Sequence, residues 1–501
     1  MNEKFNELKK RLGVVSDLQR AGAILDWDQQ TYMPPKGAAA RAEQAATLSR
    51  LAHEHFTAPA IGALLDDLAD EAAKLDYDSD EASLVRVTRR EYAKAVRVPP
   101  ALVEEISRTA ALALDAWTQA RTDSNFALFQ PHLEKTVALQ IRLAECLGYT
   151  ERIYDALLDQ YETQMTTAQV AAIFDAYKQE LVPLVQAIAR RADAVDDAVL
   201  HREYAEQKQW DFGIEVIKQI GFDFASGRQD KSAHPFTTGF GLNDVRITTR
   251  VDKHFLPSML FGTIHETGHA LYDLGYRAEL ERTPLAGGAT LGAHESQSRL
   301  WENLVGRSRG FWKFWFPRLR EYFPAQLADQ DAESFYRAVN KVQPSFIRVE
   351  ADEVTYGLHI MLRFEIENEL VERKLQVADV PAAWNAKMQA YLGVTPPNDK
   401  LGCLQDIHWS SGSIGYFATY LLGSMFSRQL FNRAVRDLPA IPAQIENGEY
   451  AELLGWLRRN VHTHGAKFTL DELARRATGE PLQAHAYVAY LKQKYGDLYG
   501  L

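Results

Sequence analysis

Apolar side chains recur along this chain mostly at steps of three and four. Phe5, Leu8, Leu12, Val15, Leu18, Ala21 and Leu25 fall on one side of a 3.6-residue helix, the mark of a single buried face. Thr166-x-x-Gln169 and Thr469-x-x-Glu472 read as capping boxes, each ahead of a long helical pattern. The pattern changes over 234–252, HPFTTGFGLNDVRITTRVD, where β-branched and aromatic residues flank the turn signal Gly241–Asp244. A small hairpin is expected there. Pro257 suits the first turn of the helix beyond it, and Gly275 its C-terminal cap. No repeat, low-complexity tract or Gly/Ser linker divides the 501 residues. The expectation is one large, mainly α-helical unit with a small β-sheet leading straight into the helix after Pro257.

Composition narrows the class. At 46% hydrophobic and 25% charged the chain is ordinary globular material with ample length for a core. A formal net charge of -11 disfavours nucleic acid as a partner. The acidic run 66–83 reads as a solvated helix face and loop. Cys146 and Cys403 cannot form a disulfide framework, which points to a reducing compartment. MNEKFNELKKRLG lacks the apolar core of a secretory signal, and no apolar run is long enough to cross a bilayer. A cytoplasmic location with no membrane partner is expected.

Candidate chemistry sits in FGTIHETGHALYDLGY, residues 261–276. His265 and His269 are four apart, just over one helical turn, so both project from one side of a helix. Two imidazoles at that spacing can reach one zinc ion, with Glu266 beside them as general base. The plainer reading is an amphipathic helix with an accidental pair of histidines, and the metal reading needs a third ligand. LGAHESQSRLWENLVGR, residues 291–307, is another helical pattern and offers His294 and Glu295. Adjacent helical residues stand about 100° apart, so one of the two faces the metal. Glu295 is the better choice, because two His, one carboxylate and a water form a hydrolytic zinc set. Taken alone, Glu295 would pair with Arg299 at i+4 on a helix surface.

At this point the chain resembles the carboxypeptidase Taq family. In order it carries His234-Pro235-Phe236, Asp244-x-Arg246-x-Thr248, His265-Glu266-Thr267-Gly268-His269 and His294-Glu295-Ser296-Gln297. Ile347-Arg348-x-x-Ala351-Asp352 and Gly402-x-x-Gln405-Asp406-x-His408-Trp409 complete the set. The N-terminal ILDWDQQTYMP, residues 24–34, and the C-terminal tail also look like the family, so the resemblance spans essentially the whole chain.

The resemblance implies His265, His269 and Glu295 as metal ligands, Glu266 as catalytic base, and His294 as a neighbour. Related zinc peptidases place an aspartate four residues beyond the ligand glutamate to orient a ligand histidine. Arg299 stands there in this chain, and the orienting partner of His265 is not identified. Likeness to other helical zinc peptidases makes His408 and Tyr416, in QDIHWSSGSIGYF (405–417), donors to the reaction's oxyanion. On the residues alone, Trp409, Tyr416 and Phe417 read equally as core aromatics. Arg348 reads on its own as an i,i+4 ion pair with Asp352. The family motif makes it the anchor of a substrate's terminal carboxylate, which a guanidinium holds in a planar fork. Gln405 is expected to assist as a side-chain donor. Asp244 and Arg246 read as a structural ion pair of the hairpin. His234 is either a satisfied histidine at a strand start or a substrate contact, and both readings stand.

The whole is expected to be a single catalytic unit over 1–501, two lobes flanking a deep cleft. One Zn2+ is expected per chain, with Co2+ able to substitute, and the assembly to be a homodimer. The activity implied is removal of C-terminal residues from short peptides, with broad specificity and poor release after proline. A zinc endo-oligopeptidase is the rival within hydrolases, and a peptide-binding protein without turnover the rival outside them.

Overall fold

The computed structural model describes residues 2–501, which form helices throughout apart from one three-stranded sheet. Five helices position the functional residues or the sheet beside them: α1 (Asn2–Thr31), α2 (Ile153–Leu158), α3 (Leu256–Asp273), α4 (Leu291–Arg299) and α5 (Tyr356–Val371). The chain divides into two compact units. One comprises Met1–Val96, Asp197–Val339 and Gln429–Pro481, the other Arg97–Asp196, Asn340–Arg428 and Leu482–Leu501. One boundary falls inside the helix Ala418–Asp437 and two at helix ends, so no linker composition marks them.

In the first unit, the early apolar periodicity is one helix. Phe5, Leu8, Leu12 and Val15 are buried, whereas Leu18, Ala21 and Leu25 are half-buried. Phe5, Leu8 and Leu12 pack with Ile61, Leu65 and Leu68 and with Leu84, Val85 and Val87 in one apolar cluster. Within the acidic run, Asp80 is tied to Arg277 and Lys467, and Asp78 to Arg476 at 2.5 Å. Both capping boxes form. Thr166 and Gln169 bond reciprocally at 3.3 and 2.9 Å, and Thr469 and Glu472 at 3.3 and 2.8 Å. The helix after Thr469 is nine residues long, shorter than its pattern suggested.

The expected hairpin is present and has a third neighbour. Strands β1 (Gly227–Lys231), β2 (Thr237–Gly241) and β3 (Asp244–Thr249) lie in the order β1-β3-β2. β2 and β3 are antiparallel, while β1 runs parallel to β3. β1, GRQDK, has no apolar alternation to betray it. Its buried members are polar: Asp230 accepts from Arg228 at 2.7 Å and from Tyr32, and Gln229 donates to Thr263 at 3.3 Å. Asp244 and Arg246 form the expected ion pair, with both contacts at 2.9 Å and the guanidinium over Trp27. Val245 and Ile247 of β3 pack on Ala270 of α3, which fixes the sheet against the motif helix.

Pro257 lies in the first turn of α3 as expected, but Gly275 is not a left-handed cap. It is required for space: an added Cβ would run into the His462 ring. Gly268 answers to the same constraint at the centre of α3. A Cβ there would stand 2.6 Å from Ser298 Cα and 2.7 Å from the Gln297 carbonyl, so α3 and α4 cross backbone to backbone. α4 starts at the Thr290 cap, whose Oγ1 accepts from Ala293 N at 3.1 Å. It continues as a π-helical turn over Leu300–Val305, closed by Gly306 N donating to Trp301 O at 2.8 Å.

In the second unit, α5 is buried along most of its length and presents Arg363 and Glu367 to the irregular segment 405–416 and Tyr356 to Arg348.

The helix crossing yields a test. Gly268→Ala should cost about 1–3 kcal/mol, because backbone cannot yield as a flexible side chain can. Gly262→Ala, in the same helix with no neighbour closer than 3.7 Å, should be neutral or stabilising by up to about 1 kcal/mol. Urea unfolding of both variants checks this, and equal effects would contradict a backbone-tight crossing at Gly268.

Candidate active site

The crossing of α3 and α4 places Glu295 opposite both motif histidines. Glu295 Oε2 stands 3.6 Å from His265 Nε2 and 3.4 Å from His269 Nε2. Ligand atoms bound tetrahedrally to zinc at about 2.1 Å lie roughly 3.4 Å from one another. The donor set therefore fits such an ion in both spacing and chemistry. Among the described residues it is the one group of three His, Cys, Asp or Glu side chains arranged to hold a metal.

The outer ring nitrogens decide which nitrogens face inward. His265 Nδ1 lies 2.9 Å from Glu302 Oε2, and a carboxylate accepts, so Nδ1 carries the proton and Nε2 keeps its lone pair. His269 is set through a relay. His294 Nε2 donates to Asp273 Oδ1 at 2.9 Å, which leaves His294 Nδ1 to accept from His269 Nδ1 at 2.6 Å. His294 is thus the orienting neighbour of His269, and both Nε2 atoms present lone pairs to one point.

Glu302 is the partner of His265 that the sequence reading did not identify. It lies seven residues beyond Glu295, on the same helical face, one turn past the position that Arg299 occupies. Arg299 donates to Glu295 Oε1 at 2.6 Å and to Glu302 Oε2 at 3.1 Å. The i+4 ion pair of Glu295 and Arg299 does form, buried rather than on the surface, and it uses the oxygen that does not face the histidines. Burial alone would raise both carboxyls, but Arg299 and His265 hold Glu302 down at about 2 and Glu295 below the usual carboxylate range.

Glu266 is 6% exposed, on the flank of α3 that meets the sheet. Thr237 of β2 donates to its Oε2 at 2.7 Å, and Oε1 has no hydrogen-bond partner among the described residues. Thr237 went unassigned in the sequence, since a strand threonine carries no signal of the carboxylate it will meet. His234 lies exposed in the loop before β2, its carbonyl accepting from Ser232 Oγ at 2.5 Å.

The other predicted residues gather in the second unit. Arg348 does not pair with Asp352, which instead caps the turn through Val354 N, Thr355 N and Thr355 Oγ1 at 2.9, 3.0 and 2.7 Å. Asp406 takes its place. Asp406 Oδ1 accepts from Arg348 Nε at 3.0 Å and Nη2 at 2.8 Å, while Oδ2 accepts from Arg363 Nε at 2.6 Å. Burial works against this carboxylate, but the two guanidiniums keep it ionised far below its ordinary range. Tyr356 Oη, 3.3 Å from Arg348 Nη1, is the other acceptor on that guanidinium.

Gln405 is a strut, where the sequence suggested a donor to substrate. Its Oε1 accepts from Arg348 N at 2.8 Å and from Arg363 Nη2 at 2.7 Å. Its Nε2 is spent on the carbonyls of Phe346, Leu401 and Gly402 at 2.8, 3.1 and 3.1 Å. His408 and Tyr416 do come together, with ring centroids 5.2 Å apart, and Tyr420 Oη lies 3.4 Å from His408 Nε2. Burial pushes His408 down to about 4, so its ring is neutral at pH 7. Of the three aromatics in question, Trp409 and Phe417 are core residues and Tyr416 is half-buried.

Comparison with known proteins covers nearly the whole chain. The family model described as carboxypeptidase Taq (M32) metallopeptidase matches residues 7–495. Thermostable carboxypeptidase 1 of Thermus thermophilus is 42% identical over 493 residues, covering 96% of each chain. Carboxypeptidase 1 of Bacillus subtilis is 37% identical, covering 99% of this chain and 98% of its own. The crystal structure of an M32 carboxypeptidase from Deinococcus radiodurans superposes over 100% of both chains with a TM-score of 0.96 at 41% identity.

A buried histidine next to this site sets a pH dependence. His462 donates Nε2–H to Gln297 Oε1 at 3.0 Å and wedges against Gly275, and burial pushes it down to about 3. Its unfolded value is about 6.5, so the unfolded chain takes the proton first. The stability it contributes is complete above about pH 6.5 and is lost as pH falls toward 3, roughly 2 kcal/mol of it by pH 5. Urea midpoints at pH 7 and pH 5 should show this loss in wild type and less of it in His462→Gln. Equal losses would contradict a neutral, buried His462.

Proposed function

The chain belongs to the carboxypeptidase Taq (M32) family and is a metallocarboxypeptidase, a hydrolase of peptide bonds, and on that premise we propose which of its residues do the work. The observation that carries the reading is the convergence of His265 Nε2, His269 Nε2 and Glu295 Oε2, with both outer ring nitrogens committed elsewhere.

His265, His269 and Glu295 would hold one divalent ion per chain, and two imidazoles with one carboxylate suit Zn2+, with Co2+ able to substitute. When bound, such an ion lowers the pKa of water toward about 7 and polarises the scissile carbonyl. Glu266 Oε1 takes the proton from the attacking water and hands it to the leaving amine, while Thr237 pins Oε2 and so fixes the direction of transfer. Neutral His408 and the Tyr416 hydroxyl are the donors assigned to the oxyanion. Arg348 is assigned to the substrate's terminal carboxylate: Asp406 takes its Nε and Nη2, and among the described residues Nη1 has Tyr356 Oη as its hydrogen-bond acceptor at 3.3 Å. Gln405 fixes the Arg348 and Arg363 positions, and His234 completes the substrate contacts.

The reading takes 1–501 as a single catalytic unit. It extends to short peptides with a free C-terminus, a homodimer and the cytoplasm, where unpaired Cys146 and Cys403 stay reduced. No described helix is long and apolar enough to cross a membrane.

Two measurements test the assignments. Glu266→Gln keeps shape and ligands but removes the base, so metal content should stay at wild type while kcat falls about 10²–10⁴-fold. Near-normal turnover with full metal would place the base elsewhere. For Arg348, kcat/KM should be far higher on a free-acid peptide than on its C-terminal amide. Arg348→Ala should erase most of that preference, a loss of roughly 2–5 kcal/mol. Equal cleavage of the amide at an internal bond would favour the endo-oligopeptidase.

A further inference from the structure

The segment from Gln405 to Tyr416 has no helix or strand to hold it, yet it carries both residues assigned to the oxyanion. Glu367, one turn beyond Arg363 on α5, is fully buried beneath it at 0% exposure. Three donors converge on this one carboxylate. Trp409 Nε1 donates to Oε1 at 2.9 Å, Gly415 N to Oε2 at 3.0 Å, and Tyr154 Oη of α2 to Oε2 at 2.7 Å. Trp409 directly follows His408, and Gly415 directly precedes Tyr416. Gly415 itself has φ +99°, and a Cβ on it would lie 2.7 Å from the Leu157 backbone, so the loop returns hard against α2.

We infer that Glu367 is a positioning residue for the hydrolysis: its two oxygens set the spacing of His408 and Tyr416 by holding the residue after the first and the residue before the second. A carboxylate suits this because it accepts at both ends. A carboxamide of the same shape accepts at one end and donates at the other, so it must release Trp409 Nε1–H or Gly415 N–H, both of which can only donate, while the Tyr154 hydroxyl can turn to accept. The inference rests on the reading of His408 and Tyr416 as oxyanion donors. It adds what keeps them in register on an irregular loop, where a misplacement of 1 Å can cost about 10²-fold in rate.

The test uses the metal-loaded enzyme and a short free-acid peptide, with Glu367→Gln, Trp409→Phe, Tyr416→Phe, His408→Gln and the Glu367→Gln/Tyr416→Phe double variant. Glu367→Gln should lower kcat about 10–100-fold with KM changed less than about 3-fold, and metal content and the free-acid preference unchanged. Trp409→Phe keeps a buried ring beside Trp384 and removes one tether, so it should give a smaller loss of kcat. In the Tyr416→Phe background, Glu367→Gln should cost less than it does alone, since the part of its effect that runs through the Tyr416 hydroxyl is already lost. If Tyr416→Phe and His408→Gln keep wild-type kcat, the oxyanion reading fails and the inference falls with it. If they lose kcat while Glu367→Gln does not, or if its cost is undiminished in the double variant, the inference alone is overturned. Should Glu367→Gln fail to fold, Trp409→Phe decides, and unchanged kcat there overturns it.

Discussion

The metal centre depends on one steric fact, the approach of α3 and α4 backbone to backbone at Gly268. Any side chain at that position would meet Ser298 Cα at 2.6 Å and drive the helices apart. Glu295 is three residues from Ser298 on α4, and Gly268 sits between the two motif histidines on α3. The crossing therefore sets the distance from Glu295 Oε2 to both Nε2 atoms, 3.6 and 3.4 Å. The glycine inside the motif is as much a part of the site as the residues that face the ion.

Both centres use one electrostatic device. In each, a basic side chain with a proposed role is backed by a buried carboxylate, and a second basic group keeps that carboxylate charged. Glu302 backs His265 and is held by Arg299, while Asp406 backs Arg348 and is held by Arg363. A buried carboxylate without its partner would be strongly destabilising, about 3–5 kcal/mol for a broken buried pair. The pairing leaves each functional group a single orientation: His265 presents Nε2, and Arg348 commits one edge of its fork. Among the described residues Glu266 has no such cationic partner, and the Thr237 hydroxyl alone pins its carboxylate.

Much of this was readable in the sequence wherever the information was local. The four-residue spacing of the histidines, the capping boxes and the β2–β3 hairpin each depend on neighbours within a few positions. Less is legible where a partner is distant in the chain. Arg348 chose Asp406, 58 residues away, over Asp352 at i+4, because Asp352 was already spent on backbone N–H groups. Gln405 looked like a free donor because nothing in its surroundings announces Arg363. β1 was missed because its burial is polar and owed to Tyr32, Arg228 and Thr263 rather than to alternation. Gly275 was given a conformational role when its constraint is the His462 ring. Glu302 could have been found, since i+7 shares a helical face with Glu295.

We propose that a single divalent ion sits between His265 Nε2, His269 Nε2 and Glu295, while Glu302 and His294 hold the outer nitrogens. Crystallographic anomalous scattering collected on both sides of the zinc absorption edge tests it most directly, on protein purified without chelator. One zinc peak per chain is expected, bounded by those three side chains, with His294 turned toward Asp273 and away from the ion. A peak ligated by His294 or through either Nδ1 atom would contradict it, as would a metal-loaded, active enzyme with no peak at that point.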